Sequence, residues 1–446
     1  MTTEVVVIGG GLSGLAAAVQ LSIDGADVVL LERAAKLGGR AYSYIDAKTG
    51  DVVDNGQHIL VGAYHHTLRY LELVGTRQYL AASDAGDLHL HFHHPEKGFV
   101  SFDLASFSNP LRIPVGIVKS QLLSLRDWQK MVNIGIQLMS WNSYLEEKLR
   151  RFSIVEWLDN MGQSEEAKRS FWFPIAVSVM NELPEKASAL LFARSINNTF
   201  LRKKSDATVL IPSIGQSELY VAAAKNILTT RKSKILLNTE ATSVTLRRGN
   251  AIGVKLSNGR KIEAKSIISA VPYFAATRLL PEQLRQLEPF VAFKKFESSP
   301  IISIHLWFDR AIMDGEFLGL IDRNIQWLFN RRRIFREKGK AENYLTAVIS
   351  GAHDCLDLSK HQLVKMAIKD IASAFPAAGT ASILHSVIIK EKRATFSPTN
   401  EIESFRPSQK TRIENFYLAG DWTDTGLPAT IEGAVKSGFH CAGLIH

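Results

Sequence analysis

The sequence predicts an α/β fold, in which a parallel sheet continued by a β-meander carries an inserted α+β domain. A β-branched apolar run at residues 5–8 leads directly into four glycines within six residues, and then into an Ala/Leu-rich segment. Several short apolar runs follow one another between residues 234 and 270. Another apolar run, residues 416–419, ends in Gly-Asp and precedes a helical segment. Strands that alternate with helices in this way favour a parallel sheet.

The first forty residues have the pattern of a Rossmann-type dinucleotide-binding unit. Gly9 permits the tight turn after the first strand, and Gly11 lets backbone N–H groups approach a pyrophosphate. Gly14 lets the following helix pack closely on that strand. The helix begins at Leu12 and Ser13, so the positive end of its dipole faces the phosphates.

An acidic residue completes this unit. Glu32 stands about 18 residues beyond Gly14, at the tip of the strand 28–31, and is followed by Arg33. A carboxylate at this position can accept hydrogen bonds from both hydroxyl groups of an adenosine ribose, whereas an NADP site would prefer a cation there.

A second glycine turn identifies the dinucleotide. The segment that contains Gly39 and Arg40 resembles one found in flavoproteins of the amine oxidase and carotenoid desaturase superfamily. In that superfamily the Gly-Arg pair touches the FAD pyrophosphate, so the resemblance implies FAD as the cofactor. It also implies a backbone contact of Ala241 with adenine, although many members have Val at that position.

The C-terminal region predicts a second contact with the flavin. Gly420 permits a close backbone approach, and Asp421 can hydrogen-bond the ribityl chain. A helix opens at Thr430 and Ile431, where free N–H groups would face the flavin pyrimidine, which carries negative charge when reduced.

The cofactor segments are spread along the chain, which predicts a discontinuous domain. We assign residues 1–85, 205–272 and 387–446 to FAD binding, and residues 86–204 and 273–386 to substrate binding. A cleft between two such domains is a common place for a ligand.

Local signals predict several further elements. Apolar residues at helical spacing favour helices over 64–74, 112–139 and 218–228. Asn258-Gly259 between two strand-like runs predicts a type I′ hairpin. The stretch 112–139 also carries basic residues, so it is either an amphipathic face for headgroups or part of the core.

Composition narrows the class of protein. The two cysteines, Cys355 and Cys441, lie far apart, which indicates neither a disulfide framework nor a zinc site. We expect a cytoplasmic protein, since no secretory signal is evident. The net charge of +9 leaves two interpretations open, a basic surface without function and peripheral contact with anionic lipid at the inner face of a bacterial membrane. Nucleic acid is not expected as a partner, because no recognition motif accompanies the scattered basic residues.

Most of the chain resembles one family, the squalene-associated FAD-dependent desaturases, whose members are described as hydroxysqualene dehydroxylases. The resemblance is carried by Gly9–Gly14, Gly38–Arg40, Asp54–His58, Tyr64, Trp172–Pro174, Asn181, Gln326–Phe329, Gly420–Thr423 and Gly426–Ala434. It implies that hydroxysqualene is converted to squalene, in hopanoid biosynthesis. The basic run Arg331–Arg333 has no place in that pattern.

The implied reaction requires a proton donor and an environment without water. Asp54–His58 should run along the isoalloxazine, which puts Gly56 and Gln57 against the cofactor and makes His58 the first candidate acid. Tyr64 and Asp424 are weaker candidates. Each of these three has a structural alternative: His58 fixes the loop through hydrogen bonds, Tyr64 caps a pocket wall, and Asp424 is an exposed turn residue.

Other functions and partners stay open at this stage. A polyene desaturase or saturase of the carotenoid type is the main alternative, and a non-catalytic prenyl-binding escort protein is a remote one. The cluster His89–His94 suggests a metal site, but no carboxylate stands close to it and we expect no metal. No second nucleotide fingerprint is evident, so an isoprenoid lipid substrate and an external electron donor or reductase are the expected partners.

Overall fold

The computed structural model describes residues 1–82, 89–103, 123–336 and 343–445. Its longer α-helices span Leu12–Ile23, His65–Val74, Leu125–Met139, Ser143–Leu149, Ile154–Asn160, Phe173–Met180, Ala189–Ile196, Ala223–Thr230, Lys360–Ala374 and Ile431–Gly443. Shorter α-helices span Glu165–Ala167, Tyr273–Ala276, Glu282–Arg285, Arg331–Ile334 and Asn400–Phe405. Wider helical turns occupy Lys168–Trp172, Asn197–Leu201 and Ser217–Ala222.

The first sheet is the Rossmann-type part of the molecule. In the described part of the chain it contains seven strands, which are, in spatial order, Lys234–Leu236, Val28–Leu31, Thr2–Ile8, Lys261–Ser269, Asn250–Leu256 and Ala241–Arg247, with Phe416–Leu418 also beside Lys261–Ser269. The strand Thr2–Ile8 pairs in parallel with both of its neighbours, and Phe416–Leu418 adds a further parallel pair. The predicted α/β class, with a parallel sheet and a β-meander, is confirmed.

The meander corrects one prediction. Its last hairpin has a positive φ at Gly259 but not at Asn258, so the turn is not type I′, which requires both. Leu256 instead donates its N–H to the carbonyl of Arg260, and Gly259 donates to the carbonyl of Leu256. The Asn258 side chain accepts from the Arg260 N–H, which stabilises a three-residue loop with a left-handed glycine at its end.

The second sheet is mainly antiparallel and joins distant parts of the chain. Within the described residues its seven strands are, in spatial order, Ile383–Phe396, Ser298–Phe308, Tyr344–Ser350, Trp327–Asn330, Phe317–Leu320, His89–His94 and Gly98–Asp103. The boundary predicted between residues 386 and 387 falls inside the strand Ile383–Phe396, which pairs with Ser298–Phe308 from one end to the other. We therefore propose that the cofactor domain resumes after residue 396.

The two faces of the strand Ser298–Phe308 serve different purposes. Alternate residues Ile302, Ile304, Leu306 and Phe308 enter the core beneath the helix Lys360–Ala374. Residues of the other parity face the cofactor domain, since Trp307 packs with Val53 and donates its indole N–H to Asp51. This alternation follows from the period of two residues along a strand.

Asn181 is one of the residues that attach the helical part of the described chain to the second sheet. This residue ends the helix Phe173–Met180 in a left-handed conformation, which Asn tolerates better than most residues. Its amide donates to the Thr395 hydroxyl at 2.8 Å and accepts from the Gly351 N–H at 2.9 Å.

The part of the predicted helix 112–139 that lies between 112 and 122 is outside the described residues, and the helix Leu125–Met139 follows it.

The first and last long helices pack in direct contact. Gly438, in the helix Ile431–Gly443, lies so close to the helix Leu12–Ile23 that a Cβ atom on it would collide with the backbone oxygen of Ser13 and touch Ala16. The N-terminal and C-terminal segments therefore converge on the same end of the parallel sheet.

We expect Gly438→Ala to lower the stability of the protein by about 1–3 kcal/mol, because the added methyl group has no space between the two helices. The matched control is Gly443→Ala, at the exposed end of the same helix, where an added Cβ meets nothing within 4 Å. That control should change stability by less than about 1 kcal/mol, in the stabilising direction. Thermal unfolding of the FAD-saturated variants measures both effects, and equal midpoints for the two would contradict the packing described here.

Candidate functional site

The predicted dinucleotide turn is a closely packed cradle. Gly9 has a φ of 107°, and a Cβ on it would stand 2.7 Å from the carbonyl oxygen of Ala270. A Cβ on Gly14 would collide with the carbonyl oxygen of Gly9. Both positions therefore require glycine, Gly9 for its positive φ and Gly14 for close packing of the helix on the strand.

Gly11 differs from its neighbours because the space beside it is open. An added Cβ there would meet nothing within 4 Å, and Gly11 caps the helix without a side-chain hydrogen bond. Leu12 and Ser13 begin the helix and are buried. The first turn contains no acidic residue, so its backbone N–H groups remain suited to an anion.

The second glycine turn lies on the first. Gly38 donates its N–H to the carbonyl of Gly10 at 2.8 Å and forms a bridge with Gly11. The hypothetical Cβ of Gly39 would stand 3.1 Å from the Cα of Gly11. The two turns predicted to touch the pyrophosphate are thus brought together.

Glu32 stands at the tip of its strand as predicted. One carboxylate oxygen accepts from the Gly10 N–H at 2.8 Å, and the other accepts from the Ala34 N–H at 2.8 Å. The backbone carbonyl of Glu32 accepts from the Thr239 N–H, two residues before Ala241. Arg33 is exposed beside it. The strand tip and the start of the meander are therefore adjacent, as an adenosine pocket would need.

Arg40 connects the N-terminal and C-terminal motifs. Its guanidinium group donates to Asp421 Oδ1 at 2.7 Å and to the carbonyl of Ala394 at 2.7 Å. Asp421 is buried, while the Arg40 side chain is 41% exposed. Gly420, the residue before Asp421, donates its N–H to the hydroxyl group of Ser437 in the last helix.

The loop after Asp421 is organised by Arg406, which the sequence did not single out. The Arg406 side chain is fully buried and pairs with Glu403 Oε2 at 2.7 Å. It also donates to the carbonyls of Asp421, Thr423 and Leu427 and to the Thr425 hydroxyl group. No sequence signal identifies this role, because arginine before a proline is common in loops.

The helix Ile431–Gly443 begins as predicted. Thr430 is its N-cap, and its hydroxyl group accepts from the Gly433 N–H at 3.0 Å. Glu432 turns away to a different helix, where it accepts from the backbone N–H groups of His66 and Thr67 and from their side chains. Burial would raise the pKa of Glu432, but these donors outweigh it and hold the pKa below its ordinary value. The first turn beside Ile431 therefore keeps the helix dipole available to a ligand.

The segment 54–58 lies between the two sheets. Asp54 is buried, and Oδ1 accepts from the Ser43 hydroxyl group at 2.7 Å and from the Gln216 N–H at 3.1 Å. The Gln216 amide donates to the carbonyl of Gly56, while the Gln57 amide donates to the carbonyl of His58. The side-chain oxygens of Gln57 and Gln216 are buried and have no partner among the described residues.

His58 is partly buried, and its ring has no hydrogen-bond partner within the described part of the chain. Burial lowers the pKa of His58 below its ordinary value, and the nearby Asp54 carboxylate opposes this only in part. The imidazole is consequently uncharged in most molecules at neutral pH. It remains our first candidate for the proton donor, since its ring nitrogens are free to contact a ligand.

Tyr64 lies at the start of the helix His65–Val74, next to the buried Glu432. Burial raises the pKa of Tyr64, and the negative charge of Glu432 raises it further. The phenol therefore stays protonated and can serve as a hydrogen-bond donor.

Asp424 has the geometry of its structural alternative, an exposed turn residue. Its side chain is exposed, and Oδ1 accepts from the Gly426 N–H at 3.3 Å within a turn. An exposed carboxylate that accepts a hydrogen bond within a turn is poorly placed to protonate a group in a buried site, so our proposals assign the proton to His58 and not to Asp424.

Two residues of the basic run that the sequence left unexplained, Arg331 and Arg332, lie against the segment 51–54, whereas Arg333 is exposed. Arg331 donates to Asp54 Oδ2 at 2.7 Å, and Arg332 forms two hydrogen bonds with Asp51. His305 is also buried nearby, and burial and the Arg331 charge lower its pKa to about 3. These contacts join residues more than 250 positions apart, so no local pattern could predict them.

The described histidines of the predicted cluster point to separate partners. His91 contacts the Ser101 hydroxyl group, His93 packs edge-on against Phe99, and His94 contacts Ser170. In the described ranges no group of three or more His, Cys, Asp or Glu side chains is arranged to hold a metal ion. Nor does any helix in those ranges combine the length and apolar character needed to cross a membrane.

The residues present fit FAD. The open face at Gly11 and the uncapped helix start suit a pyrophosphate, and Glu32 stands at the strand tip, where the sequence predicts a contact with the ribose. Buried polar atoms without partners, such as Gln57 Oε1, surround the segment expected to follow the isoalloxazine. The observed arrangement brings together the predicted residues from both ends of the chain.

Comparison with known proteins agrees with this arrangement. Residues 12–446 match the family model described as flavin containing amine oxidoreductase. A hydroxysqualene dehydroxylase from Rhodopseudomonas palustris is 30% identical over 453 residues, which cover 100% of this chain and 99% of that protein. A 15-cis-phytoene desaturase from Solanum lycopersicum is 25% identical, covering 99% of this chain and 77% of that protein.

Solved structures with the same fold are more distant in sequence. An oxidoreductase from Methanosarcina mazei superposes with a TM-score of 0.72 at 19% identity and covers 99% of both chains. A putrescine oxidase variant superposes with a TM-score of 0.73 at 17% identity, covering 100% of this chain and 98% of that one.

We expect Gly11→Ala to keep the fold and to weaken FAD binding by about tenfold or more, since its methyl group projects into the space meant for the pyrophosphate. The control is Gly135→Ala, on the helix Leu125–Met139, where an added Cβ also meets nothing within 4 Å. Visible flavin absorbance per protein after purification measures the effect. A flavin content equal to that of the control would exclude Gly11 from the cofactor site.

Proposed function

The chain belongs to the flavin containing amine oxidoreductase family, and from this premise we propose that it removes the allylic hydroxyl group of hydroxysqualene to give squalene. As a member of this family it is an FAD-dependent oxidoreductase. The observation that supports the proposed reaction best is the full-length similarity to the hydroxysqualene dehydroxylase of Rhodopseudomonas palustris.

The second candidate is a polyene desaturase. Phytoene desaturases match almost the whole chain at 25% identity, so the similarity alone separates the two reactions only weakly. The two reactions run in opposite directions, because dehydroxylation consumes a reduced cofactor whereas desaturation consumes an oxidised one. Substrate and redox state therefore distinguish the candidates.

The proposed reaction breaks the bond between carbon and oxygen, and both electrons of that bond leave with the oxygen. His58 supplies the proton that turns the departing hydroxide into water. Bound FAD, when reduced, would supply the hydride that forms a C–H bond in place of the broken C–O bond. The protein must hold the allylic carbon in place and exclude other water, which would restore the alcohol.

The remaining residues of the segment position the substrate. Asp54, fixed by Ser43 and Gln216, holds the segment in place so that Gly56 and His58 keep their positions. Tyr64, held protonated by burial and by Glu432, is a second hydrogen-bond donor for the leaving oxygen. A separate reductase or free reduced flavin is the proposed source of electrons, and peripheral contact with an anionic membrane is the proposed route to an apolar substrate.

We expect anaerobically reduced protein to convert hydroxysqualene to squalene in a single turnover. Oxidised protein incubated with phytoene should give no new double bond. Extraction and chromatographic analysis of the products measure both reactions. Desaturated phytoene together with unchanged hydroxysqualene would reverse the assignment in favour of the second candidate.

We expect the turnover rate to rise as the pH falls below about 6.5, the ordinary pKa of a histidine, because burial lowers the pKa of His58 and the protonated imidazole therefore accumulates only at lower pH. In His58→Gln the rate should fall by about 100-fold or more and lose this dependence. His91→Gln, at an exposed histidine of the second sheet, is the matched control. If His58→Gln kept the wild-type pH profile, another group would be the acid.

A further inference from the structure

Arg331 is a buried guanidinium group whose hydrogen-bonding capacity is only partly used. It is 1% exposed, and its Nη2 donates to Asp54 Oδ2 at 2.7 Å. Its Nε and Nη1 have no partner in the part of the chain that the structure describes. Charged donors left without acceptors in a protein interior are costly, so these atoms call for an acceptor that the chain does not supply.

Arg406 provides an internal comparison. It is equally buried, and its Nε likewise has no partner among the described residues, but both of its terminal nitrogens donate to oxygens of the chain, three of which are backbone carbonyls. The two arginines therefore differ at Nη1, which lacks a partner only in Arg331. The same fold therefore saturates the terminal nitrogens of a buried arginine where the role is to hold a loop. Arg331 lacks such a set of carbonyls, which indicates a role other than holding the backbone.

The position of Arg331 is fixed. Its guanidinium carbon lies 4.0 Å from the ring centroid of Phe335, which covers one face of the group. Asp54, its ionic partner, is itself held by the Ser43 hydroxyl group and the Gln216 N–H. The unpartnered nitrogens cannot turn toward another acceptor without breaking this ion pair.

Buried acceptors without a hydrogen-bond partner among the described residues lie in or beside the segment 54–58. The amide oxygens of Gln57 and Gln216 are buried and have no partner within the described ranges, and neither has the Ser303 hydroxyl group. Gln216 donates to the carbonyl of Gly56, and Ser303 Oγ stands 3.7 Å from the position of a Cβ on Gly56. A ligand hydroxyl group could accept from Arg331 and donate to one of these oxygens.

We propose that Arg331 binds the single oxygen of an isoprenoid alcohol and thereby selects a hydroxylated chain over a hydrocarbon of the same length. This inference rests on the proposed function, because it supplies the binding partner for the group that the reaction removes. A hydrocarbon would leave the Arg331 donors unpaired, and sites built around a substrate hydroxyl discriminate strongly against analogues that lack it. Arg331 orients the oxygen and does not supply the proton, since a guanidinium group does not release one in proteins.

The test measures binding to oxidised holoenzyme, which holds no hydride to give and so binds the alcohol without turnover. Hydroxysqualene and squalene, each carried in detergent micelles, are compared by equilibrium dialysis. We expect wild-type protein to bind the alcohol at least about tenfold more tightly than the hydrocarbon. Arg331→Lys keeps a cation beside Asp54 but lacks Nε and Nη1, and should lower this preference to less than about threefold.

The matched control is Arg332→Lys, at the neighbouring residue that pairs with Asp51, and it should keep the wild-type preference. Flavin content and thermal unfolding establish that each variant is folded. If Arg331→Lys does not fold, the double variant Asp54→Asn/Arg331→Met replaces it, because it removes both buried charges together. An unchanged preference in whichever variant folds, or no preference in the wild type, would overturn the proposal and assign the unpartnered atoms to ordered water.

The two proposals fail separately. If reduced protein forms squalene while Arg331→Lys keeps the preference for the alcohol, the oxygen site is wrong and the proposed function stands. If the wild type prefers the alcohol through Arg331 but reduced protein forms no squalene, the oxygen site stands and the proposed reaction is wrong.

Discussion

The contact between the first and last long helices is the constraint on which the rest of the site depends. The absence of a side chain at Gly438 allows the helix Ile431–Gly443 to approach Ser13 and Ala16. This approach brings the C-terminal motif to the same sheet end as the glycine turn, where Arg40 can reach Asp421 at 2.7 Å. The same helix start sends Glu432 to the backbone N–H groups of His66 and Thr67, which fixes the helix after Tyr64. One close helix crossing thus positions the cofactor motifs and one wall of the proposed substrate site.

Two buried arginine–carboxylate pairs, Arg406–Glu403 and Arg331–Asp54, hold neighbouring parts of the site in place. Arg406 holds the loop that follows Asp421, and it does so by neutralising Glu403 and saturating three backbone carbonyls. Arg331 and Asp54 form another buried pair, between the cofactor domain and the second sheet. Removing one member of such a pair leaves an uncompensated charge, so these pairs specify how the parts assemble more than they add net stability. The two arginines differ at their terminal nitrogens, since both of those of Arg406 have acceptors whereas Nη1 of Arg331 has none among the described residues.

Predictions from the sequence succeeded where structure depends on local backbone geometry. Gly9, Gly11 and Gly14 lie within six residues of one another, and their spacing predicted the tight turn and the helix that follows it, both of which the structure contains. The prediction of a type I′ turn at Asn258-Gly259 was wrong, because the strands can also be joined through a left-handed Gly259 with the Asn side chain bonded to Arg260. Asn258-Gly259 is compatible with a type I′ turn and with the observed three-residue loop, and the pairing of the two strands decides which of them forms.

The sequence by itself determined the α/β class, the glycine turns near both ends of the chain, FAD as the cofactor and the family, because each is specified by short runs of residues that interact with their own neighbours. Only the tertiary structure decided that Asp424 is exposed, that Arg406 holds the C-terminal loop and that Arg331 meets Asp54. The physical reason is distance along the chain. A contact across 277 positions depends on how two sheets pack, and the free energy that favours it belongs to the folded assembly and to no local segment.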